Sequence, residues 1–252
     1  MGTGPRNVVR IAHAYGNNRQ ALHKALASDV DMIEADMWFR GGKIHMHHEH
    51  HLGWLPLLID LKMATHKPGR FAVPFGKYVV RPRIGTVPLD HLFSEVAGKK
   101  QLLLDVKGHY KARDLEDYVQ TLVRTIREHG AESWTVVCGQ TYSVLHRLRE
   151  VAPDIAVRYS IERPYQWERF EKLRTEGVRQ VCMWHKFLDD ERASLLEAEG
   201  VNVFCWTVDD PAIAEDLVAR GVDGIISNRL DLLAALPREV GATSGSGAPP
   251  TP

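Results

Sequence analysis

The sequence lacks an excess of charge of either sign, because Lys and Arg together number 32 and Asp and Glu together also number 32. A neutral chain has no general field that would attract nucleic acid or an anionic membrane, so any partner must be recognised by a local arrangement of residues. The sequence also lacks an apolar run near the roughly 20 residues of a membrane-spanning helix, and its N-terminus has no stretch typical of a secretory signal. We therefore expect a cytoplasmic protein without a transmembrane segment, and the residues do not specify its oligomeric state.

Cysteine is scarce, with three residues in a chain of 252. Cys138, Cys182 and Cys205 each lie inside an apolar run typical of a strand, and none stands at the close spacing of a zinc-binding pair. This pattern argues against a disulfide framework and against a cysteine-based zinc site. We expect three buried thiols, as in a protein of a reducing compartment.

The last residues lack the apolar side chains that a folded core needs. From Gly241 the sequence reads GATSGSGAPPTP, which predicts disorder because it is rich in Gly, Ser and Pro. We therefore expect a folded domain over residues 1–237 and a disordered tail over residues 238–252. The hydrophobic content of 44% is sufficient for one sizeable core.

Apolar runs typical of strands alternate along the chain with amphipathic runs typical of helices, such as residues 115–128 and 212–220. Strands that read as continuously apolar suit a parallel sheet that is covered on its outer face. Eight such units in about 240 residues predict an α/β fold of the TIM (β/α)8 barrel type. An open doubly wound sheet is the main alternative, but no glycine-rich nucleotide fingerprint follows the first strand. The predicted strands cover residues 8–14, 32–39, 101–108, 134–140, 155–161, 180–186, 201–208 and 222–228.

Two carboxylates stand two residues apart in the second predicted strand, which reads MIEADMWF. In an extended chain Glu34 and Asp36 point to one face, while Ile33 and Ala35 point to the other. Two acids among apolar neighbours must be neutralised, and a bound cation would do so.

A histidine-rich arm, KIHMHHEHH, follows this strand after two glycines. The connection is too short for a parallel crossover, so the arm must return as the second strand of an antiparallel hairpin. A loop of three residues places His48 opposite Glu34, whereas a turn of two residues places His47 opposite Asp36. We prefer His48, because the apolar residues of the arm share its parity.

The stretch over residues 51–88 is irregular and carries many Pro, Gly and aromatic residues. A loop of this length inside a compact domain is usually functional. In a barrel this insertion lies at the C-terminal face, where active sites are built, and could form one wall of a pocket.

Polar residues recur late in several predicted strands, and in a TIM barrel these positions converge on one rim. Singly, each has a structural explanation, such as a core histidine with a partner, a buried ion pair or a packing residue. Their joint recurrence at strand ends favours one shared site. These residues are His13 in the first strand, Glu34 and Asp36 in the second, Asp105 and Lys107 in the third, and Trp206 with Thr207 in the seventh.

The three acids indicate a divalent metal ion. Glu34, Asp36 and Asp105 offer the oxygen ligands that Mg²⁺ and Ca²⁺ prefer, with water completing the coordination shell. Zinc is less favoured because oxygen dominates the ligand set, although neighbouring histidines keep it open. Such an ion would hold a phosphate oxygen and offset the charge that accumulates in the transition state.

The remaining polar residues suit the cleavage of a phosphodiester. His13 and His48 fit a general base and a general acid, because the ordinary pKa of histidine lies near neutrality. Lys107 could pair with the phosphate, and Trp206 could line the pocket. The expected partner is thus a small-molecule phosphodiester rather than a nucleic acid.

Six segments resemble the glycerophosphodiester phosphodiesterase family. They are Ala12-His13 at the end of the first strand, IEADM with the paired acids, His48-Glu49 in the hairpin, LLLDVK in the third strand, and the pair VFCWTVDD and GVDGIISN near the end. The last pair is the most specific, and the resemblance spans Val8 to about Leu233.

The resemblance implies a TIM barrel with a divalent metal and two catalytic histidines, which match His13 and His48. It also implies the reaction: the neighbouring glycerol hydroxyl attacks phosphorus, the alcohol leaves, and water opens the cyclic phosphate to give glycerol 3-phosphate.

The sequence departs from the family pattern in three places. The family usually has Arg after its first histidine, where this chain has Ala14, and the usual Glu-Asn-Thr segment is replaced by residues 17–19. The third metal ligand is usually Glu, where this chain has Asp105. Lys107 replaces the lost bidentate arginine only partly, since an ammonium is a point charge. These features also resemble phospholipases D that cyclise sphingomyelin and lysophospholipids, which we rank second.

Two further alternatives follow from the residues. One is a non-catalytic barrel that retains metal or phosphate ligands for recognition, but retention of both histidines and all three acids argues against it. The other is a transition-metal site formed by HMHHEHH itself, which predicts Ni²⁺ or Zn²⁺ binding that survives mutation of Glu34 and Asp36.

Overall fold

The computed structural model of the protein describes residues 7–53, 55–61, 71–83 and 86–237. The predicted tail over residues 238–252 lies outside the described residues. The strands are β1 Val9–Ala12, β2 Met32–Arg40, β3 Lys43–Met46, β4 His50–His51, β5 Leu57–Leu61, β6 Val73–Phe75, β7 Tyr78–Pro82, β8 Val87–Pro88, β9 Gln101–Val106, β10 Thr135–Gly139, β11 Ala156–Ile161, β12 Gln180–Trp184, β13 Asn202–Trp206 and β14 Gly224–Ser227.

A helix follows each barrel strand. The helices are α1 Arg19–Leu26, α2 Leu89–Val96, α3 Ala112–Glu128, α4 Tyr142–Val151, α5 Pro164–Thr175, α6 Asp190–Ala198, α7 Pro211–Ala219 and α8 Leu230–Ala235. Within the described residues, no helix has both the length and the apolar content to cross a bilayer.

Eight parallel strands close into a barrel. The order is β1, β2, β9, β10, β11, β12, β13 and β14, and β14 pairs with β1 to complete the circle. This closure confirms the TIM barrel and excludes the open doubly wound sheet. Seven of the eight predicted apolar runs contain one barrel strand each, and the eighth, residues 32–39, covers all of β2 except Arg40.

The alternation of side chains along the strands divides the apolar core into two layers. The barrel interior is filled by Ile11, Met32, Leu103, Cys138, Cys182, Phe204 and Ile226. The outward-facing residues of the same strands pack against the helices, where α3 buries residues such as Tyr118, Leu122 and Ile126. All three cysteines are buried and free, as expected.

The hairpin of β2 and β3 differs from the preferred register by one residue. Arg40 pairs with Lys43, so Gly41 and Gly42 form a two-residue turn rather than part of a three-residue loop. Both glycines have positive φ, 59° and 73°, which is the backbone of the two-residue turns that match strand twist. The predicted three-residue loop was therefore wrong.

The insertion after β3 is more regular than its composition suggested. The described part of residues 51–88 forms a four-stranded antiparallel sheet in the order β4, β5, β7 and β6, together with β8, which pairs with β3. We missed these strands because proline and glycine interrupt the short apolar runs. Arg81 of β7 ties this sheet to the barrel, since its Nε and Nη2 atoms donate to the Glu49 carboxylate at 2.5 and 3.0 Å.

Candidate active site

Three carboxylates meet at the C-terminal edge of β2 and β9. Asp36 and Asp105 are direct partners in the parallel register of these strands, and Glu34 lies two residues before Asp36 on the same face. One oxygen from each of the three side chains lies within 4.8 Å of the others. The structure therefore brings together all three acids that the sequence singled out as metal ligands.

Polar groups of the loop after β1 hold two of these acids in place. Glu34 and Asp36 are only 3% and 1% exposed, so their oxygens need partners. The backbone N–H of Ala14 donates to Glu34 Oε2 at 2.5 Å. The Asn17 amide donates to Asp36 Oδ2 at 2.6 Å and accepts from the Asp36 backbone N–H at 2.8 Å.

Gly16 allows this loop to lie against β2. A Cβ atom at residue 16 would stand 2.5 Å from the Cβ of Ala35, which is too close for any side chain. The close approach places Asn17 beside Asp36. Asn17 was not among the predicted site residues, because its role depends on contact with a strand about twenty residues further along the chain.

Lys107 lies among the acids. Its Nζ atom is 2.9 Å from Asp36 Oδ1 and also forms an ion pair with Asp105 Oδ2. Burial raises the pKa of Asp36, but the charge of Lys107, followed by those of His48 and His13, outweighs burial and lowers that pKa. The sequence predicted that Lys107 contacts the phosphate, and the structure pairs its ammonium group with two of the predicted metal ligands.

The pKa of Glu34 is shifted in the opposite direction from that of Asp36. Burial, followed by the negative charges of Asp36 and Asp105, raises the pKa of Glu34 well above its ordinary value. Burial is also the largest cause of the raised pKa of Asp105. When ionised, the three acids and Lys107 together carry two excess negative charges, which a divalent cation would balance. The convergence of three carboxylates therefore fits a hard divalent ion.

His13 is oriented by a chain of hydrogen bonds from β14. Asn228 donates through its side-chain amide to Asp209 Oδ2 at 2.8 Å, so its Oδ1 atom is left to accept from His13 Nδ1 at 3.0 Å. With the proton on Nδ1, the Nε2 atom of His13 carries the lone pair and lies 4.0 Å from Glu34 Oε2. Asp209 and Asn228 had no predicted role, although both lie in the two motifs that carry the family resemblance most specifically.

His48 is held by the insertion. Its Nδ1 atom lies 2.6 Å from Oδ2 of Asp60, a buried residue of β5. Burial alone would lower the pKa of His48, but the hydrogen bond with Asp60, followed by the charge of Asp36, raises it above the ordinary value. The insertion therefore affects the site through the hydrogen bond between Asp60 and His48. The sequence analysis did not predict a role for Asp60.

His47 occupies a different environment from His48. It is 1% exposed, stacks on Trp38 at 5.8 Å between ring centroids, and donates from Nδ1 to the backbone oxygen of Glu49 at 2.8 Å. Burial, followed by the charge of His51, lowers the pKa of His47 to about 3. The two-residue turn brings His47 next to Asp36 in the antiparallel pairing. β3 ends at Met46, however, and the backbone that follows it directs the His48 side chain towards the acids.

A cavity of about 350 Å³ opens over the acids, within the size range of small-molecule sites. Its floor is the apolar barrel interior, including Cys138 and Cys182. Six of the seven predicted site residues line it: His13, Glu34, His48, Asp105, Lys107 and Trp206. Asp36 lies behind Lys107. Thr207, which follows Trp206 at the end of the seventh predicted strand, also lines the cavity, together with polar residues that we did not predict: His109, Gln140, Thr141 and Ser160.

Comparison with known proteins agrees with this geometry. The sequence model of the glycerophosphoryl diester phosphodiesterase family matches residues 83–232, which is more than half of the chain. A glycerophosphodiester phosphodiesterase of Caldanaerobacter subterraneus subsp. tengcongensis is 25% identical over 233 residues, covering 89% of this chain and 93% of that protein. A glycerophosphodiester phosphodiesterase of Arabidopsis thaliana is 31% identical over 78 residues, which is 31% of this chain and 24% of that protein.

A solved structure shares the fold. A phosphodiesterase of Oleispira antarctica, in complex with its product sn-glycerol-3-phosphate, superposes with a TM-score of 0.65 at 17% identity. The match covers 89% of this chain and 94% of that one.

Proposed function

The chain belongs to the glycerophosphoryl diester phosphodiesterase family, whose members are phosphoric diester hydrolases, and we propose that it hydrolyses glycerophosphodiesters to glycerol 3-phosphate and an alcohol. The observation that carries the proposal is the shared cavity. It places two imidazoles, His13 and His48, beside three carboxylates and a lysine, in a volume that fits a small phosphodiester.

His13 is the proposed general base of the first step. Its Nε2 atom takes the proton of the substrate's glycerol hydroxyl as that oxygen attacks phosphorus. His48, whose pKa is raised by Asp60, is the proposed general acid, and gives a proton to the alcohol oxygen as its bond to phosphorus breaks. The products of this step are a cyclic phosphate and the free alcohol.

The second step returns both protons. His48, now neutral, takes a proton from the water that attacks the cyclic phosphate. His13 gives its proton to the glycerol oxygen that leaves phosphorus. Each histidine thus ends in its initial state, and the product is glycerol 3-phosphate.

Glu34, Asp36 and Asp105 are the proposed ligands of a divalent cation, with Mg²⁺ or Ca²⁺ as the favoured ions. A bound cation would offset the negative charge that develops on the phosphate oxygens. Lys107 is within reach of the same oxygens and would move from the carboxylates to the phosphate. Trp206 forms part of the cavity wall against which the carbon atoms of the substrate would pack.

The proposal predicts release of glycerol 3-phosphate from glycerophosphocholine or glycerophosphoethanolamine when Mg²⁺, Ca²⁺ or Mn²⁺ is added. Product release is measured with each ion and with a chelator. Absence of turnover with all three ions would contradict the proposal. If a choline lysophospholipid then gave free choline and a cyclic phosphate, the cyclising phospholipase D activity would replace it.

Replacement of Asp60 by Asn is expected to move the alkaline limb of the kcat/KM profile to lower pH. A general acid must be protonated, so the rate falls as pH rises through its pKa. Loss of the Asp60 carboxylate lowers the pKa of His48, so this fall begins at lower pH. The matched control is Asp90→Asn, since Asp90 is exposed on α2. A profile unchanged by the Asp60 substitution would remove His48 from the role of general acid.

A further inference from the structure

The tip of the insertion, defined as residues 71–77, exposes large apolar side chains in β6 and just before it. Phe71, Val73 and Phe75 are 71%, 61% and 73% exposed, although side chains of this kind are usually inside a protein. They follow closely along one short segment, and Val73 and Phe75 stand two apart on β6, so they share a face of the strand. A group of exposed apolar residues of this kind marks an interaction surface.

The charges around this tip have one sign. Lys77 is the exposed charged residue of the tip, and Arg83 is exposed at the opposite end of β7, so both exposed charges of the described hairpin and its flank are positive. The two acids of the described insertion and the loop before it are both buried, Asp60 against His48 and Glu49 against Arg81. The sequence has no Asp or Glu over residues 61–89, although the whole chain is neutral. Positive charge is therefore concentrated on this element.

The tip lies close to the mouth of the cavity. In the small sheet, Asp60 is opposite Val79, and Val79 is opposite Pro74. Pro74 is thus separated by two strand spacings, or roughly 10 Å, from Asp60, whose carboxylate holds His48. Phe75 and Val73 flank Pro74 on the same strand.

We propose that this tip docks on an anionic phospholipid bilayer. Phe71 and Phe75 would enter the boundary between headgroups and acyl chains, where aromatic rings are favoured, while Lys77 would contact lipid phosphates. The exposed aromatic residues and the positive charge are independent observations. They match the two interactions that bind proteins to anionic membranes, which are burial of apolar area and electrostatic attraction.

A second copy of the chain fits the tip less well. β6 is an edge strand, and edge strands can pair with the same strand of a neighbour. Pro74 at its centre has no N–H to donate, so strand addition there is blocked. Two positively charged tips would also repel one another. The bilayer is therefore the favoured partner.

Docking would bring the mouth of the cavity to the membrane surface, and phosphodiesters with an acyl chain would be accessible there. This consequence rests on the proposed function, whereas docking itself does not. The two are separated by measuring vesicle binding without substrate and turnover of glycerophosphocholine without vesicles.

Co-sedimentation of the full chain with vesicles tests the proposal. The wild-type protein should bind vesicles of phosphatidylcholine mixed with phosphatidylglycerol, bind phosphatidylcholine alone much more weakly, and bind less at high salt. The double substitution Phe71→Ser and Phe75→Ser should weaken binding at least about tenfold. Lys77→Ala should weaken it about fivefold. Glycerophosphocholine turnover should not change in these variants.

The matched control is Tyr165→Ser, because Tyr165 is a 51% exposed aromatic residue of α5, three barrel strands away from β2. This variant should bind vesicles like the wild type. The proposal is overturned if the wild type does not bind the mixed vesicles, or if the Phe71→Ser and Phe75→Ser variant binds them equally well. It is also overturned if sedimentation shows that the two phenylalanines hold a dimer that does not bind vesicles.

Discussion

Replacement of His13 by alanine is expected to lower kcat for glycerophosphodiester hydrolysis by roughly 10²- to 10⁴-fold, the usual contribution of a general base. The reason lies in its hydrogen bonds. Asn228 accepts from Nδ1, which orients the ring and puts the lone pair on Nε2, next to the acid cluster. Alanine leaves β1 intact but removes the imidazole that would take the proton. Steady-state kinetics at saturating metal measure the effect.

The matched control for this substitution is His23→Ala. His23 lies on α1, has a largely exposed side chain and contacts Glu95 rather than the cavity. Its loss should leave kcat within about twofold of wild type, as for most surface substitutions. If the His13→Ala variant kept wild-type turnover, the histidine mechanism would be wrong. If it kept wild-type affinity for a phosphate ligand while the wild type showed no turnover, the chain would instead be a non-catalytic binding barrel.

Replacement of Asp105 by asparagine is expected to remove both metal-dependent activity and metal-dependent stability. A ligand that binds only the folded state stabilises it by about 2.7 kcal/mol at a concentration of one hundred times Kd. For a chain of this size that is a rise in Tm of roughly 5 to 10 °C. The wild type should show this rise with Mg²⁺, Ca²⁺ or Mn²⁺, and the Asp105→Asn variant should lose most of it. Thermal unfolding measures the effect without substrate.

The control for Asp105→Asn is Asp117→Asn, a substitution of an exposed acid on α3, which should respond to metal like the wild type. A metal response that survives in Asp105→Asn would contradict the three-carboxylate site. If such a response were then lost in His47→Gln, the metal would be bound by the histidine-rich arm instead. Within the described part of the chain, the Nε2 atom of His47 and both ring nitrogens of His51 are buried without a hydrogen-bond partner, so they are the atoms to which that outcome would point.

The barrel could be predicted because its strands are buried on both faces and read as continuous apolar runs. The polar interruptions at the ends of these runs, Glu34, Asp36 and Asp105, stand out for the same reason. Parallel register then places Asp36 directly opposite Asp105. For these residues, the local sequence pattern and the barrel topology are together sufficient to predict that the three acids meet.

The rest of the site depends on contacts between distant segments, which a local pattern does not contain. Asp60 reaches His48 because the insertion folds into a sheet, and Asp209 is linked to His13 through Asn228. The prediction of the hairpin turn was wrong for a different reason. Gly41 and Gly42 both adopt positive φ and form a two-residue turn, which shifts the register by one residue.

Anomalous diffraction from crystals grown with Mn²⁺ tests the central claim most directly. We predict one ion with an oxygen of each of Glu34, Asp36 and Asp105 at about 2.0 to 2.6 Å, and Lys107 withdrawn from Asp105. An ion bound instead to His47 and His51, or no ion with Lys107 still paired to both aspartates, would contradict the account.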